Sequence, residues 1–260
     1  VFEFSLRVVS SDGREHILSK FEQPITISFA VSRNASKDLI GVYYVGEQGE
    51  LDYVPSETRN GYLIANISHF SSYAVLAYRK TFDDVSTDHW GLQAIQRMAA
   101  KHIMVGTTAH AFEPDRPITR AEFTAIVVRA LGLKSLNKTT FVDTHEDDWY
   151  AEALSAANDA KLINGFADGQ FRPDTAITRQ EMAVIALRAY EISTGQKQIG
   201  SNSAAFADGN DISHWAVSYV NAAFAAKLVQ GQSANKFAPL ANLTRAEAAQ
   251  LISNLIDKER

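Results

Sequence analysis

The sequence predicts an α+β protein of more than one domain, with an all-β module followed by helix–loop–helix repeats. Over the first 80 residues apolar side chains recur at every second position, which is typical of half-buried strands. From residue 81 onward the apolar spacing becomes three and four, which is typical of helices packed on one face. The helical part also contains one pattern three times. A length of 260 residues agrees with several domains.

The β-rich module is predicted over residues 1–80 as a small sandwich of six or seven short strands. Phe2–Val8 alternates between apolar and polar residues, and Ile25–Val31 repeats the alternation after Pro24. The segments VYYV and ELDYV flank GEQG, which predicts a hairpin whose glycines adopt positive φ. We assign His69, near a predicted strand end, a structural role.

The helical part contains three repeats, which we place at residues 81–140, 141–204 and 205–260. Each repeat has a tryptophan, followed at fixed distances by glycine (16 residues later), phenylalanine (22), proline (24) and threonine (29). The tryptophans are Trp90, Trp149 and Trp215. Spacing that is kept at so many positions indicates one structural unit copied three times.

Each repeat is predicted to form two helices. The first helix begins after the tryptophan, and the glycine at plus 16 is expected to end it. The second helix begins at a threonine N-cap with glutamate three residues on, the signature of a capping box. The glycines are Gly106, Gly165 and Gly231, and the capping pairs are Thr119 with Glu122, Thr178 with Glu181, and Thr244 with Glu247.

An arginine occupies the first position of each second helix: Arg120, Arg179 and Arg245. A cation there opposes the helix dipole, and the free N–H groups at that end favour anions. Three such arginines indicate either an anionic ligand or a carboxylate partner within the protein. The aspartates that follow the first phenylalanine of each block are candidate partners, namely Asp84, Asp143 and Asp208.

The repeats must pack on one another, because neither helix of a unit can bury its apolar side alone. Three similar units can close into a pseudo-three-fold bundle or stack as an open solenoid. Closure would create equivalent clefts between neighbours, each lined by one arginine.

Several classes of function are disfavoured by composition. The net charge of −5 argues against a nucleic-acid partner. With no cysteine, the chain has no disulfide, thiol nucleophile or cysteine-bound zinc. We find no metal-binding motif, no cofactor motif and no catalytic residues, and we predict no membrane insertion. The chain begins inside a predicted strand, so we expect it to be part of a longer protein in which a catalytic domain can lie upstream.

The repeats resemble S-layer homology repeats of bacterial surface proteins, over about residues 81–258. The first copy shows FDDVSTDHW and FEPDRPITRAE, the second LINGFADGQFRPDTAITRQE, and the third AFADGNDISHW and FAPLANLTRAE. The resemblance implies a compact pseudo-trimer around a central helical bundle. It also implies an extracellular location at the bacterial cell wall.

The resemblance further implies a function: non-covalent anchoring through secondary cell-wall polysaccharide, whose pyruvylated amino-sugar ends bind in grooves between repeats. Self-assembly with neighbouring copies into a surface lattice is the alternative. The arginine of the TRAE motif is the family's main ligand-binding residue, and the aspartate of FxDV accompanies it. The candidate ligand-binding residues are therefore Arg120, Arg179, Arg245, Asp84, Asp143, Asp208, Gly106, Gly165, Gly231, Trp90, Trp149 and Trp215.

Two features qualify that set. Packing is the preferred interpretation of the tryptophans, although a sugar platform is the alternative. The loops also differ, because the second keeps the glycine-rich element around Asp168 and Gly169 while the first and third lack it. We therefore expect the three grooves to be unequal.

Overall fold

The computed structural model describes residues 1–32, 35–138, 141–198, 206–232 and 235–258. The chain divides into two compact units. The first contains Val1–Phe82 and Gln96–Val105, and the second contains Asp83–Ile95 and Gly106–Arg260. The predicted boundary between residues 204 and 205 lies outside the described residues.

The first unit is built from short antiparallel strands, as predicted, but its described residues form nine strands and not the six or seven expected. They are β1 (Phe2–Glu3), β2 (Leu6–Val9), β3 (Glu15–Leu18), β4 (Lys20–Ala30), β5 (Ile40–Val45), β6 (Leu51–Val54), β7 (Ser56–Arg59), β8 (Tyr62–His69) and β9 (Ser72–Ala77). Their order is β1-β9-β5-β6 in one sheet and β4-β8-β7 in another, while β2 and β3 form a separate pair. Buried side chains from both larger sheets form one apolar cluster, which includes Phe29, Val42, Leu63 and Tyr73.

The β5–β6 hairpin forms where it was predicted, but only Gly49 of its two glycines has positive φ (85°). The predicted half-buried strand over Phe2–Val8 is wrong in two respects. It is split into β1 and β2, and β2 is exposed along its whole length, with Leu6 40% and Val8 46% accessible. Among the described strands β2 pairs only with β3, and neither strand contributes a residue to the buried cluster formed by the two larger sheets.

The second helix of each repeat begins as predicted. The helices are α1 (Leu92–Ala100), α2 (Arg120–Leu131), α3 (Ala151–Asp159), α4 (Arg179–Thr194), α5 (Val217–Ala225) and α6 (Arg245–Lys258). Thr119 and Thr178 cap α2 and α4 in reciprocal capping boxes. The N–H of Glu247 donates to Thr244 Oγ1 at 3.2 Å and the N–H of Thr244 donates to Glu247 Oε2 at 2.9 Å. All three predicted capping boxes are therefore present.

The glycines at plus 16 do not end the first helices, which corrects the sequence prediction. Helix α3 ends at Asp159, and the left-handed residue that follows it is Lys161, with φ 56°. Gly165 is required for close packing instead. A Cβ there would lie 2.7 Å from Cε1 of Phe141 and 2.9 Å from the carbonyl oxygen of Gln170.

Backbone hydrogen bonds link the three repeats directly before their second helices. The N–H of Ile177 donates to the carbonyl of Ile118 at 3.0 Å, and the N–H of Leu243 donates to that of Ile177 at 2.9 Å. The N–H of Ile118 in turn donates to the carbonyl of Leu243 at 2.9 Å. The third repeat therefore contacts the first through the same bond that joins the other neighbours. All three side chains are fully buried.

Candidate functional site

Each arginine that opens a second helix reaches into the F-x-P loop of another repeat. The Nε of Arg120 donates to the carbonyl of Phe171 at 2.8 Å, and its guanidinium lies 4.7 Å from the centre of the same ring. Arg179 makes the equivalent bond to Phe237 at 2.8 Å, and Arg245 makes it to Phe112 at 2.7 Å. The three arginines are therefore buried, and each connects its own repeat to another one.

Two of these arginines also form ion pairs with a glutamate. Nη1 of Arg120 lies 2.8 Å from Oε1 of Glu181, and Nη1 of Arg179 lies 2.8 Å from Oε1 of Glu247. The ion-pair partners are thus capping-box glutamates and not the aspartates that the sequence suggested. In the first repeat the equivalent glutamate, Glu122, pairs at 2.6 Å with Arg116.

Burial affects the charge state of the arginines. Burial lowers the pKa of Arg120 and of Arg179 from its ordinary value, and the neighbouring Glu181 and Glu247 oppose this shift. A guanidinium remains protonated in proteins even so, because its ordinary pKa is far above neutrality. Each of these two side chains is therefore a positively charged group that is almost completely buried.

The three predicted aspartates hold the loops to which the arginines bind. Asp143 accepts the N–H groups of Phe171 at 2.8 Å and Arg172 at 2.7 Å. Asp84 and Asp208 accept the two equivalent N–H groups in their own repeats. In every case the second donor has positive φ, which is unfavourable for a side-chain-bearing residue and needs such support.

Hydrogen bonding determines the acidity of two of these carboxyls. Burial by itself raises the pKa of Asp208, but the N–H groups of Phe237 and Ala238 hold it below its ordinary value. The same opposition of burial and backbone N–H groups lowers the pKa of Asp84. The surroundings of both aspartates therefore favour the ionised carboxylate.

The tryptophans are exposed, which contradicts the packing role preferred from sequence. The exposed fractions are 59% for Trp90, 62% for Trp149 and 53% for Trp215. A large aromatic residue that is more than half accessible contributes little to a core. Trp90 and Trp215 each line a groove between repeats.

The first groove has a volume of about 660 Å³, and we call it the Arg179 groove. It combines Trp90 of the first repeat, Arg179 of the second and the Gln230–Gln232 segment of the third. The rest of its wall comes largely from α6, including Glu247. Nη2 of Arg179 donates to the carbonyl of Gln230 at 2.8 Å, so the arginine is fixed at the groove wall.

The second groove has a volume of about 430 Å³, and we call it the Arg120 groove. It combines Trp215 of the third repeat and Arg120 of the first with the Asn164–Phe166 segment of the second. Glu181 and Arg188 of α4 complete the charged part of its wall. Both grooves thus take a tryptophan, an arginine and a glycine-containing loop from three different repeats.

The amino-acid sequence of the three repeats matches a known protein family. The model described as S-layer homology domain matches residues 81–124, 140–183 and 205–249, which is half of the chain. The chain belongs to the S-layer homology domain family. This membership places it at the bacterial cell surface, in a family of anchoring and not catalytic modules.

Curated relatives agree with the assignment. An amylopullulanase of Thermoanaerobacterium thermosulfurigenes is 38% identical over 91% of this chain and 13% of that protein. The exoglucanase XynX of Acetivibrio thermocellus is 40% identical over 71% of this chain and 17% of that protein. An S-layer protein of Bacillus thuringiensis subsp. finitimus is 32% identical over 69% of this chain and 22% of that protein. The chain therefore spans less than a quarter of each of these relatives.

The first of these matches covers enough of the chain to extend into the β-rich module, whereas the family model begins at residue 81. Among the helices of the described residues, none combines the length and the apolar character that crossing a membrane requires.

The S-layer homology repeats bring part of the predicted site together. The Arg120 groove contains Arg120, Gly165 and Trp215, and the Arg179 groove contains Arg179, Gly231 and Trp90. The aspartates line neither groove, because their carboxylates face the backbone of the loops. Arg245, Gly106 and Trp149 also lie outside these two grooves.

The residues that α4 and α6 contribute to the grooves were not predicted from the sequence. Glu181, Val184 and Arg188 line the Arg120 groove at spacings of three and four residues. The same repeat positions on α6 are Glu247, Gln250 and Asn254, which line the Arg179 groove. Such spacing places side chains on one helix face, so the signal was present in the sequence. It was overlooked because the glutamates were fully explained as capping residues.

Proposed function

We propose that the three S-layer homology repeats form a closed, pseudo-three-fold bundle that binds secondary cell-wall polysaccharide in the grooves between repeats. The ligand that fits best is an acidic, pyruvylated amino-sugar end. The chain would thereby hold a longer surface protein on the wall without a covalent bond. A catalytic domain elsewhere in that longer protein is compatible with the enzyme names of two relatives.

Closure of the bundle is supported by the bonds that join the third repeat to the first. The ring of hydrogen bonds through Ile118, Ile177 and Leu243 returns to its starting residue. The arginine contacts follow the same cycle, since Arg245 of the third repeat binds Phe112 of the first. An open stack would leave both of these terminal contacts unmade.

One observation carries the binding proposal: each groove is lined by both a fixed guanidinium and an accessible tryptophan. Guanidinium groups bind carboxylates through directed, charge-assisted hydrogen bonds. Aromatic rings offer an apolar face with a polar edge, which suits the mixed surface of a sugar. The N–H groups of Arg120 that bind neither Phe171 nor Glu181 also provide donors for hydroxyl groups.

The test is a calorimetric titration of the full chain, residues 1–260, with purified wall polysaccharide. Native polysaccharide is compared with polysaccharide from which the pyruvate groups have been removed. We expect saturable binding to the native form and at least about a tenfold loss on removal of pyruvate, because a charge-assisted contact is lost.

Variants connect that binding to the grooves. Trp215→Ala should weaken binding. Leu240→Ala, at an apolar position that is also more than half exposed but lies outside both grooves, should leave binding unchanged. Equal affinity for both forms of the polysaccharide would refute the acidic ligand. The absence of binding to either form, together with concentration-dependent association of the chain in size-exclusion chromatography, would support lattice assembly instead.

A further inference from the structure

Among the differences between the two grooves is one at a repeat position that no motif of the family covers. The ninth residue after the helix-opening arginine is Arg188 on α4 and Asn254 on α6. Arg188 lines the Arg120 groove, and Asn254 lines the Arg179 groove at the corresponding place. Both side chains are half-buried. A cation in one groove is therefore replaced by a neutral amide in the other.

This replacement changes the charge of the grooves. The ionisable lining of the Arg179 groove is one arginine and one glutamate, which cancel as an ion pair of 2.8 Å. The Arg120 groove has the same pair, also at 2.8 Å, together with Arg188. Its formal charge is therefore one unit more positive than that of the Arg179 groove.

Arg188 is positioned by neutral groups. Its Nη1 donates to the carbonyl of Leu162 at 3.3 Å, and its guanidinium lies 5.6 Å from the centre of the Tyr219 ring. Within the described part of the chain no carboxylate pairs with it within 4.0 Å. Nearby, Arg172 and Asp168 pair with each other at 2.9 Å, so they add no net charge.

The Arg179 groove is lined by amides where the other groove is charged or apolar. Gln232 donates to Oε1 of Glu247 at 2.9 Å, and Gln250 donates to Oδ1 of Asn254 at 2.9 Å. Gln250 occupies the repeat position of Val184. Amides pair with hydroxyl and acetamido groups, and they offer a carboxylate no opposite charge.

We propose that Arg188 is a specificity-determining residue, which makes the Arg120 groove the subsite for an acidic sugar and leaves the Arg179 groove to uncharged sugar units. This inference rests on the proposed function and adds to it which groove receives the carboxylate. A carboxylate in the Arg120 groove would meet two guanidinium groups, only one of which is already neutralised by the protein. In the Arg179 groove it would meet one neutralised guanidinium.

The experiment uses the three tryptophans of the chain as groove-resolved reporters. Each contributes one indole N–H signal to an ¹H–¹⁵N spectrum, and single Trp→Phe variants assign the signals. The probes are the methyl glycoside of a pyruvylated N-acetylhexosamine and the same glycoside without pyruvate. The Trp215 signal reports on the Arg120 groove, and the Trp90 signal reports on the Arg179 groove.

We expect the pyruvylated probe to shift the Trp215 signal at a lower concentration than the Trp90 signal. Arg188→Asn should raise the concentration needed at Trp215 about tenfold, as for loss of one charge-assisted contact, and Arg188→Lys should restore part of the affinity. The reverse substitution, Asn254→Arg, should strengthen the response of Trp90. Thermal unfolding of each variant checks that it is folded.

The inference is overturned if Arg188→Asn, in its folded state, leaves the Trp215 titration unchanged, or if Trp90 responds first to the pyruvylated probe. It is also overturned if neither signal responds while native polysaccharide still binds in calorimetry, and in that case the proposed function stands. If native polysaccharide does not bind either, the proposed function fails and this inference fails with it.

Discussion

Arg120 of the first repeat forms a 2.8 Å ion pair with Glu181, the same glutamate that caps the second helix of the next repeat. One oxygen of Glu181 accepts from the guanidinium, while the other accepts the N–H of Thr178 at 2.9 Å. In the second repeat the Thr-Arg-x-Glu segment therefore contacts both neighbours: Arg179 binds the third repeat, and Glu181 accepts from Arg120 of the first. Helix capping and repeat assembly depend on a single carboxylate.

This double use predicts that Glu181→Gln destabilises the fold. Glutamine retains an acceptor but leaves the Arg120 charge, which is buried, without its counterion. We expect the free energy of unfolding to fall by about 1–3 kcal/mol. Denaturant unfolding followed by circular dichroism measures it. Glu152→Gln, an exposed glutamate in the first turn of α3, is the matched control and should change stability by less than about 0.5 kcal/mol.

Because Arg120 pairs with Glu181, substitution of Arg120 cannot test ligand binding by itself. Arg120→Ala removes a groove residue, a bond to Phe171 and the partner of Glu181 together. Loss of polysaccharide binding in that variant would follow equally from an opened bundle. For this reason our binding tests rely on Trp215, which is more than half exposed, and on Arg188, whose hydrogen bond is to the neutral carbonyl of Leu162.

A second prediction concerns the conserved spacing of glycine within the repeats of this chain. Gly165→Ala would place a Cβ 2.9 Å from the carbonyl oxygen of Gln170, and backbone at that distance cannot move aside cheaply. We expect a loss of about 1–3 kcal/mol, as for overpacking. Gly209→Ala is the control, because nothing lies within 4 Å of its Cβ position and its φ is not left-handed. Equal stability of the two variants would contradict the packing explanation.

The sequence predicted the local features of the repeats well. Capping boxes depend on residues three positions apart, so Thr119 and Glu122 identify one without tertiary information. The β5–β6 hairpin was predictable for the same reason, since its turn lies within GEQG.

The arginine partners and the exposure of the tryptophans were not predictable in this way. Which carboxylate meets Arg120 depends on how one repeat docks on the next, and the sequence pointed to the aspartates because the glutamates were already explained as capping residues. Trp215 lies two residues before the start of α5, where apolar periodicity does not yet define a buried face. The role of Gly165 was predicted wrongly because a glycine that ends a helix cannot be distinguished in the sequence from a glycine needed for close packing.

A third prediction separates the exposed tryptophans from the buried aromatic residues. Trp215→Ala should reduce stability by less than about 1 kcal/mol, because the indole is 53% accessible. Phe171→Ala, which empties a fully buried position, should cost about 3–5 kcal/mol. Iodide should quench the tryptophan fluorescence of the folded chain efficiently. Weak quenching, or a large loss of stability in Trp215→Ala, would restore the packing role that the sequence favoured.

The last prediction concerns the stability of the fold at low pH. Because the pKa of Asp208 is lower in the folded chain than its ordinary value, the unfolded chain binds the proton more readily. The stabilisation from Asp208 is thus complete above the unfolded pKa of about 3.9 and is lost as the pH falls through the lower, folded pKa. Asp84 has a pKa lowered in the same direction and adds to the effect.

Asp208→Asn should therefore be less stable than the wild type at neutral pH, by about 1–3 kcal/mol. The two N–H groups bind different carboxylate oxygens, and an amide replaces one of these oxygens with an NH2 donor. The difference should shrink in acid, where the wild-type carboxylate is protonated and loses the same bonds. Urea unfolding at a series of pH values between neutrality and about pH 2.5 measures both curves. Asp211→Asn, at an exposed position three residues on, controls for the general effect of removing a negative charge. Curves for Asp208→Asn and the wild type that stay parallel down to the lowest pH would show that the Asp208 carboxylate does not support the loop at Phe237 and Ala238 through its charge.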